Sequence, residues 1–520
     1  MRHVWGEARV LAVGLDAAEP ALVRELVERG EMPALRSLSD GGAWARVVSP
    51  AHVGSGAVWP TFLTGEGPAA HGVYGEWAWR PEAMGLTRYH GRALRPFWKG
   101  LAEEGLTVGV LDVPFAPLVG LSQGFEISEW GAHDVLEGRT EFGPADLSEL
   151  LTKEFAPHPL SLDRLDAAGP EDREALQRVR RGCAEGARLR GELGARLLGE
   201  RRPQLAVVVF PEIHHAAHYL WHGVGPEHGF YGGGARRGSQ GFEGALAEVC
   251  REVDAAVARL VEAAGPGAAV LVFSLHGMRP TRGIPNFLGP LLCERGFARL
   301  AGWRSLSWRG RAVSALAAAK RLAPAPLKKL YYKSLPQTAT QRLARPTMMP
   351  AYDWSRTRAF ALPTDQHGWV RVNLKGREAE GVVPAAEYES VCAEVEGTLR
   401  GLLTRDGRRV VRDVLRTAGG VGEALGSLLP DLVVHWDDAA FDTPLRLRGA
   451  RLEAPPTGMK FTGQHAPEGF CVARGVAGLA GGSVRAEELH RLIVETLRAQ
   501  PSRAAAAGGS PARQGGVSGR

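Results

Sequence analysis

A cluster of histidines gives this sequence its most distinctive chemistry. The run Glu212-Ile-His214-His215-Ala-Ala-His218-Tyr-Leu-Trp221-His222 spaces His214 and His218 one helical turn apart, so on a helix both imidazoles share a face. Two imidazoles so placed can grip a single divalent ion. The same run also fits a helix packed through its aromatic rings with polar tips in water. His276, in Phe273-Ser-Leu-His-Gly277, and His465, in Thr462-Gly-Gln-His-Ala-Pro-Glu-Gly469, stand in turn-forming contexts and read either as turn residues or as further donors. Asp16 follows an apolar run and fits a helix N-cap as well as a ligand. The segment Ser55-Gly-Ala-Val-Trp59-Pro-Thr-Phe-Leu-Thr64-Gly65 sets a hydroxyl just before a helical pattern. At a helix start the backbone amides and the positive dipole end ease loss of the hydroxyl proton, although a serine there also serves as a plain N-cap.

These groups need elements that bring them together. Apolar strand patterns over Ala8–Leu15, Leu205–Phe210 and Ala269–Ser274 each end at a polar position: Asp16, then Glu212 with His214, then His276. Helical periodicity over Pro20–Arg29 and Leu176–Leu198 lies between them. Alternation of β-rich apolar runs with helices predicts an α/β fold with a mostly parallel central sheet covered on both faces. In such sheets ligands gather beyond the carboxyl ends of the strands, which is where the polar residues fall. From about Trp303 to Tyr352 the pattern changes to two short amphipathic helices, Ala312–Leu322 and Leu327–Leu335, around Ala323-Pro-Ala-Pro326. This stretch reads as a helical insertion in a domain spanning residues 1–499. Residues 500–520, rich in Gly, Ala, Ser and Pro, read as a disordered tail.

Composition narrows the classes. At 520 residues with 44% hydrophobic and 23% charged, the chain is long enough for one large domain with an inserted lobe. No apolar run reaches the roughly 20 residues that cross a bilayer, and no secretory leader pattern opens the chain, so a cytoplasmic location is expected. Five cysteines lie far apart without a CxxC pair, which suggests buried thiols rather than disulfides or a thiolate metal site. The net charge of +6 is concentrated: twelve Lys or Arg lie between Arg295 and Arg345, with no acid between Glu294 and Asp353. The rest of the chain is therefore net acidic, and no nucleic-acid-binding face is implied. The basic stretch suits a lid over an anionic substrate, a contact with acidic membrane headgroups, or a solvated face.

In their order the motifs resemble the alkaline phosphatase superfamily, specifically its type I phosphodiesterase and nucleotide pyrophosphatase branch. Gly14-Leu-Asp16, Met32-Pro-Ala-Leu-Arg-Ser-Leu38, Ser55 four residues before Trp59, Thr64-Gly65, Pro68-Ala-Ala-His71-Gly72, Asn373-Leu-Lys-Gly376-Arg377-Glu378, Pro430-Asp431-Leu432 and Gly463-Gln-His465 follow the family's sequence of motifs from about residue 8 to 475. The resemblance implies a three-layer α/β/α sandwich and a hydrolase of phosphate esters. Ser55 would be its nucleophile, passing through a phosphoseryl intermediate, and the substrate a phosphorylated small molecule. It also implies divalent metal, zinc or manganese, with one ion on Asp16, Ser55 and His276 and another on His214, His218 and His465. His71, Gly376, Arg377 and Glu378 read as architectural. Two ligands depart from the family pattern: His214 stands for an Asp of Asp-x-x-x-His, and Leu275 for the Asp of Ser-Asp-His-Gly. The cluster thereby loses two negative charges, which weakens the second ion site unless another carboxylate, such as Glu212 or Asp365, is borrowed. Two other classes stay open at this stage. One is a catalytically impaired member that binds a phosphorylated ligand or partner, and the other is a phosphonate or sulfate ester hydrolase of the same superfamily.

Overall fold

A computed structural model describes residues 9–89, 94–131, 139–155, 157–160, 172–224, 241–281, 287–302, 308–324, 327, 347–363, 366–441, 445–449, 453–454, 461–479 and 481–499. Of the sequence-based expectations, the tail, most of the second insertion helix and Asp365 lie outside these residues. The three anticipated strands form as Val10–Leu15, Leu205–Phe210 and Ala269–Ser274. All three are buried along their length, as parallel strands covered on both faces must be. Alternation decides which side chain goes where. Leu11, Val13 and Leu15 enter one apolar cluster with Ala206, Val208, Phe210, Val270 and Val272, while Val10, Ala12, Leu205, Val207, Val209, Leu271 and Phe273 enter the opposite one.

Among the described residues the central sheet has nine strands, in the order Gly482–Arg485, Ala43–Val48, Glu468–Arg474, Ala269–Ser274, Val10–Leu15, Leu205–Phe210, Val108–Leu111, Gly124–Ser128, Glu141–Gly143. Only Glu468–Arg474 and the edge strand Glu141–Gly143 run against their neighbours. Helices Arg173–Arg201 and Ala245–Ala264 bury their apolar faces in the first cluster. Helices Val58–Thr64, Phe97–Glu103 and Ala486–Ala499 cover the second. The α/β/α layering is thus as expected. No described helix is long and apolar enough to cross a membrane, and the first insertion helix spans Trp308–Leu322. The cysteines are unpaired thiols, four of them buried and Cys293 half-buried.

A second, four-stranded antiparallel sheet was not anticipated. Its order is Ala359–Leu362, Gly368–Val372, Leu432–Trp436, Val411–Arg416, with its own apolar cluster. A buried ionic network locks it. Arg377 donates to both oxygens of Asp431 at 2.7 Å, and Glu378 accepts from Arg371, Arg377 and the Trp79 indole at 2.7, 2.8 and 2.8 Å. Tyr388 donates to Asp431 at 2.8 Å. The Gly-Arg-Glu motif is therefore architectural, as its sequence suggested: it staples this sheet to the Trp77–Arg80 strand. Because removing one partner of a buried pair strands the other charge, Arg377→Ala is expected to lower stability by about 3–5 kcal/mol. Chemical denaturation read by tryptophan fluorescence checks this, and a loss under about 1 kcal/mol would show the network to be peripheral.

Candidate metal centre

Asp16, His214 and His276 stand just beyond strand ends. Asp16 extends the Val10–Leu15 ladder by one residue, its N–H donating to the Phe210 carbonyl at 3.0 Å. Ala17 then turns the chain with a left-handed φ of 54°, a conformation that costs a non-glycine residue on the order of 1 kcal/mol. The carboxylate is buried. Its Oδ1 accepts from the Trp59 indole at 2.9 Å, and its Oδ2 lies 2.7 Å from His214 Nδ1. Gly14 makes this geometry possible, since a Cβ there would come within 2.7 Å of the Trp59 ring. The Gly-x-Asp motif thus has a steric cause.

After Phe210 the chain turns at Pro211 into a helix, Glu212–Leu220, whose residues are all buried. A polar tip in water is therefore ruled out for His214 and His218. Their rings lie 4.8 Å apart. His276 follows the Ala269–Ser274 strand, and the next strand, Gly277–Pro280, pairs antiparallel with Gly463–Ala466, setting Met278 opposite His465. That pairing brings the His276 and His465 rings to 4.9 Å. Gly463 lets the latter strand approach the histidine helix, because a Cβ would meet the Ala217 carbonyl at 2.3 Å.

Four imidazoles converge. His214 Nε2 lies 2.7 Å from His465 Nε2 and 3.0 Å from His218 Nε2, and donor atoms of His214, His276 and His465 all lie within 4.8 Å of one another. The other ring nitrogens determine what these can do. His218 Nδ1 donates to the Gly463 carbonyl at 3.0 Å, and His214 Nδ1 donates to Asp16. In a neutral imidazole this makes each Nε2 an acceptor or a metal donor. His214 and His218 so set face each other with acceptor nitrogens 3.0 Å apart, a contact that a shared cation suits. Around tetrahedral zinc, with bonds of about 2.0–2.1 Å, ligand nitrogens stand about 3.3 Å apart, so a small outward swing of the rings admits the ion. The residues present fit a divalent metal.

Ser55 opens a short 3-10 turn, Ser55–Ala57, that runs straight into Val58–Thr64. Trp59, one turn on, carries the bond to Asp16, so the Ser55 segment and the histidine cluster share one edge of the sheet. The second sheet holds the preceding loop by three consecutive carbonyls: His367 donates to Ala51 O at 2.9 Å, His435 to His52 O at 2.7 Å, and the Trp369 indole to Val53 O at 2.9 Å. Burial pushes His367 down to about 3, and burial also lowers His435, so both donate as neutral rings. None of these three was singled out from sequence. His71, bonded to Thr61 Oγ1 at 3.0 Å and to the Val73 amide at 3.0 Å, links two short helices and is structural.

Glu212 is committed elsewhere. Its Oε1 takes Arg190 at 2.9 Å and His158 at 3.0 Å, and Arg190 reaches on to Asp112 at 2.8 Å, all fully buried. Burial alone raises the Glu212 pKa, but the Arg190 charge and His158 outweigh it and hold the group below its usual range. It anchors the histidine helix to Arg173–Arg201 through Oε1.

The sequence model for type I phosphodiesterase / nucleotide pyrophosphatase matches residues 10–441. Asp16, Ser55, His214, His218 and His276 lie inside that span, and His465 joins through the strand pairing described above. No curated protein matches the chain. Among solved structures, phosphonoacetate hydrolase from Sinorhizobium meliloti 1021 in complex with phosphonoacetate is 16% identical with a TM-score of 0.49, covering 95% of this chain and 96% of that one. Murine ectonucleotide pyrophosphatase/phosphodiesterase 5, an inactive form in complex with AMP, is 11% identical with a TM-score of 0.44 and the same coverage. From the family match over most of its length, the chain belongs to the type I phosphodiesterase / nucleotide pyrophosphatase family and is a hydrolase acting on phosphate esters.

Proposed function

We propose that the protein is a metal-dependent phosphodiester hydrolase with Ser55 as nucleophile, and that His214, His218 and His465 hold its divalent ion. The observation that carries this reading is the approach of His214 Nε2 to both His465 Nε2 and His218 Nε2, with the tautomers of His214 and His218 set by hydrogen bonds at Nδ1. An all-imidazole donor set with an open position suits zinc best. When bound, the ion supplies positive charge that stabilises a phosphoryl group and acidifies a neighbouring hydroxyl or water.

The chain's own residues do the rest. Ser55 Oγ attacks phosphorus, forming the O–P bond of a phosphoseryl intermediate while the leaving alcohol takes the bonding pair and a proton. Water then cleaves that O–P bond, returning the serine hydroxyl and releasing a phosphate monoester. The bonds from His367, His435 and Trp369 to the Ala51–Val53 carbonyls hold the approach to Ser55 in one conformation, so that little ordering is needed at the moment of attack.

Three outcomes test this. Wild-type protein is expected to hydrolyse bis-p-nitrophenyl phosphate faster than p-nitrophenyl phosphate, and Ser55→Ala to lower kcat by about 10³-fold or more. Prolonged chelation is expected to abolish turnover and zinc to restore it. A protein that binds metal yet turns over neither ester at any pH is a phosphoryl-binding relative instead. Trp369→Phe keeps the ring but strands the Val53 carbonyl. It is expected to cost about 1–3 kcal/mol in stability and to lower kcat with little change in KM; an unchanged kcat would remove the loop from the account.

A further inference from the structure

Asp16 meets His214 at Nδ1, the ring atom opposite in function to the Nε2 that faces His465 and His218. A carboxylate on one nitrogen of an imidazole whose other nitrogen binds metal fixes the tautomer, aims the ring and makes it more basic. Its remaining oxygen is engaged by the Trp59 indole at 2.9 Å, and His276 Nδ1 stands 4.0 Å away from that oxygen. Among the described residues, two positions that could have supplied donors for a second ion are occupied otherwise. Leu275 is fully buried in the apolar cluster with Trp59, Phe62 and Phe273, and Glu212 is bound to Arg190 and His158. Among the described residues, the grouping of three or more potential donors that could hold a metal contains histidines alone. A single carboxylate facing two dications would leave most of their mutual repulsion uncompensated.

Resting on the reading of the site as a metal centre, we propose that it is a one-ion centre in which Asp16 is a positioning residue acting through His214, and not a ligand. Histidine at position 214 converts a carboxylate donor into an imidazole with a carboxylate behind it, and leucine at 275 closes the second position with hydrocarbon. His276 then stands beside the ion, at the rim formed with His465.

The test is metal stoichiometry on the purified full-length chain. Wild-type apoprotein titrated with Co(II) is expected to show a spectral break at one equivalent, and elemental analysis after zinc loading and desalting to give one zinc per chain. Asp16→Asn, which retains an acceptor for Trp59, is expected still to bind one zinc. It should release it to a chelating dye with about 10- to 100-fold weaker affinity, while circular dichroism of the apoprotein shows the fold retained. Two ions in the wild type, falling to one in Asp16→Asn, would overturn the one-ion centre while leaving a metal hydrolase in place. No metal in the wild type would overturn both. Because the titration uses the wild type, a folding failure of the variant does not shield the inference.

Discussion

The contact between Asp16 and His214 is the constraint on which the site depends. It ties the end of the first strand to the helix after the Leu205–Phe210 strand, two neighbours in the parallel sheet, and sets which nitrogen of His214 is left to bind. Without it His214 could rotate or exchange tautomers, and the short distances among the three Nε2 atoms would have no fixed partner. Trp59 completes the arrangement by holding the far oxygen of Asp16 from the segment that carries Ser55. One buried carboxylate therefore gives both the histidine cluster and the hydroxyl-bearing segment a common reference point.

Such polar density inside an α/β core has an energetic consequence. Burying charges costs several kcal/mol each unless they are paired and bonded, and the protein meets this with closed networks: Arg190 between Asp112 and Glu212 beneath the histidine helix, and Arg377 with Asp431 and Glu378 in the second sheet. Both networks are better understood as devices of registry than as sources of net stability. The first fixes the histidine helix against Arg173–Arg201. The second fixes the sheet whose His367, Trp369 and His435 grasp the loop before Ser55.

Much of this was readable in the chain, for physical reasons that differ by element. Strands buried on both faces read as continuous apolar runs, so Val10–Leu15, Leu205–Phe210 and Ala269–Ser274 were placed within a residue or two, and the rule that ligands gather at carboxyl ends picked out Asp16, His214 and His276. The i, i+4 spacing of His214 and His218 gave their shared face. What local pattern could not show was long-range pairing. The grasp of Ala51–Val53 joins residues more than 300 positions apart, and His367 and His435 carry no spacing signal. The second sheet has short antiparallel strands without a strong period, and Arg190 sits inside an ordinary helical pattern. The side of His214 on which Asp16 lies is likewise a matter of coordinates: motif order sets the two at different ions, and only the fold shows their contact at Nδ1.

The central claim is that the Nε2 atoms of His214, His218 and His465 share a cation. Anomalous diffraction from crystals of the zinc-loaded protein, with data on both sides of the zinc absorption edge, tests it most directly. The account predicts a single anomalous peak bonded to those three nitrogens at about 2.0–2.1 Å, with Asp16 still on His214 Nδ1. A peak elsewhere, or Asp16 bonded directly to the ion, would contradict it.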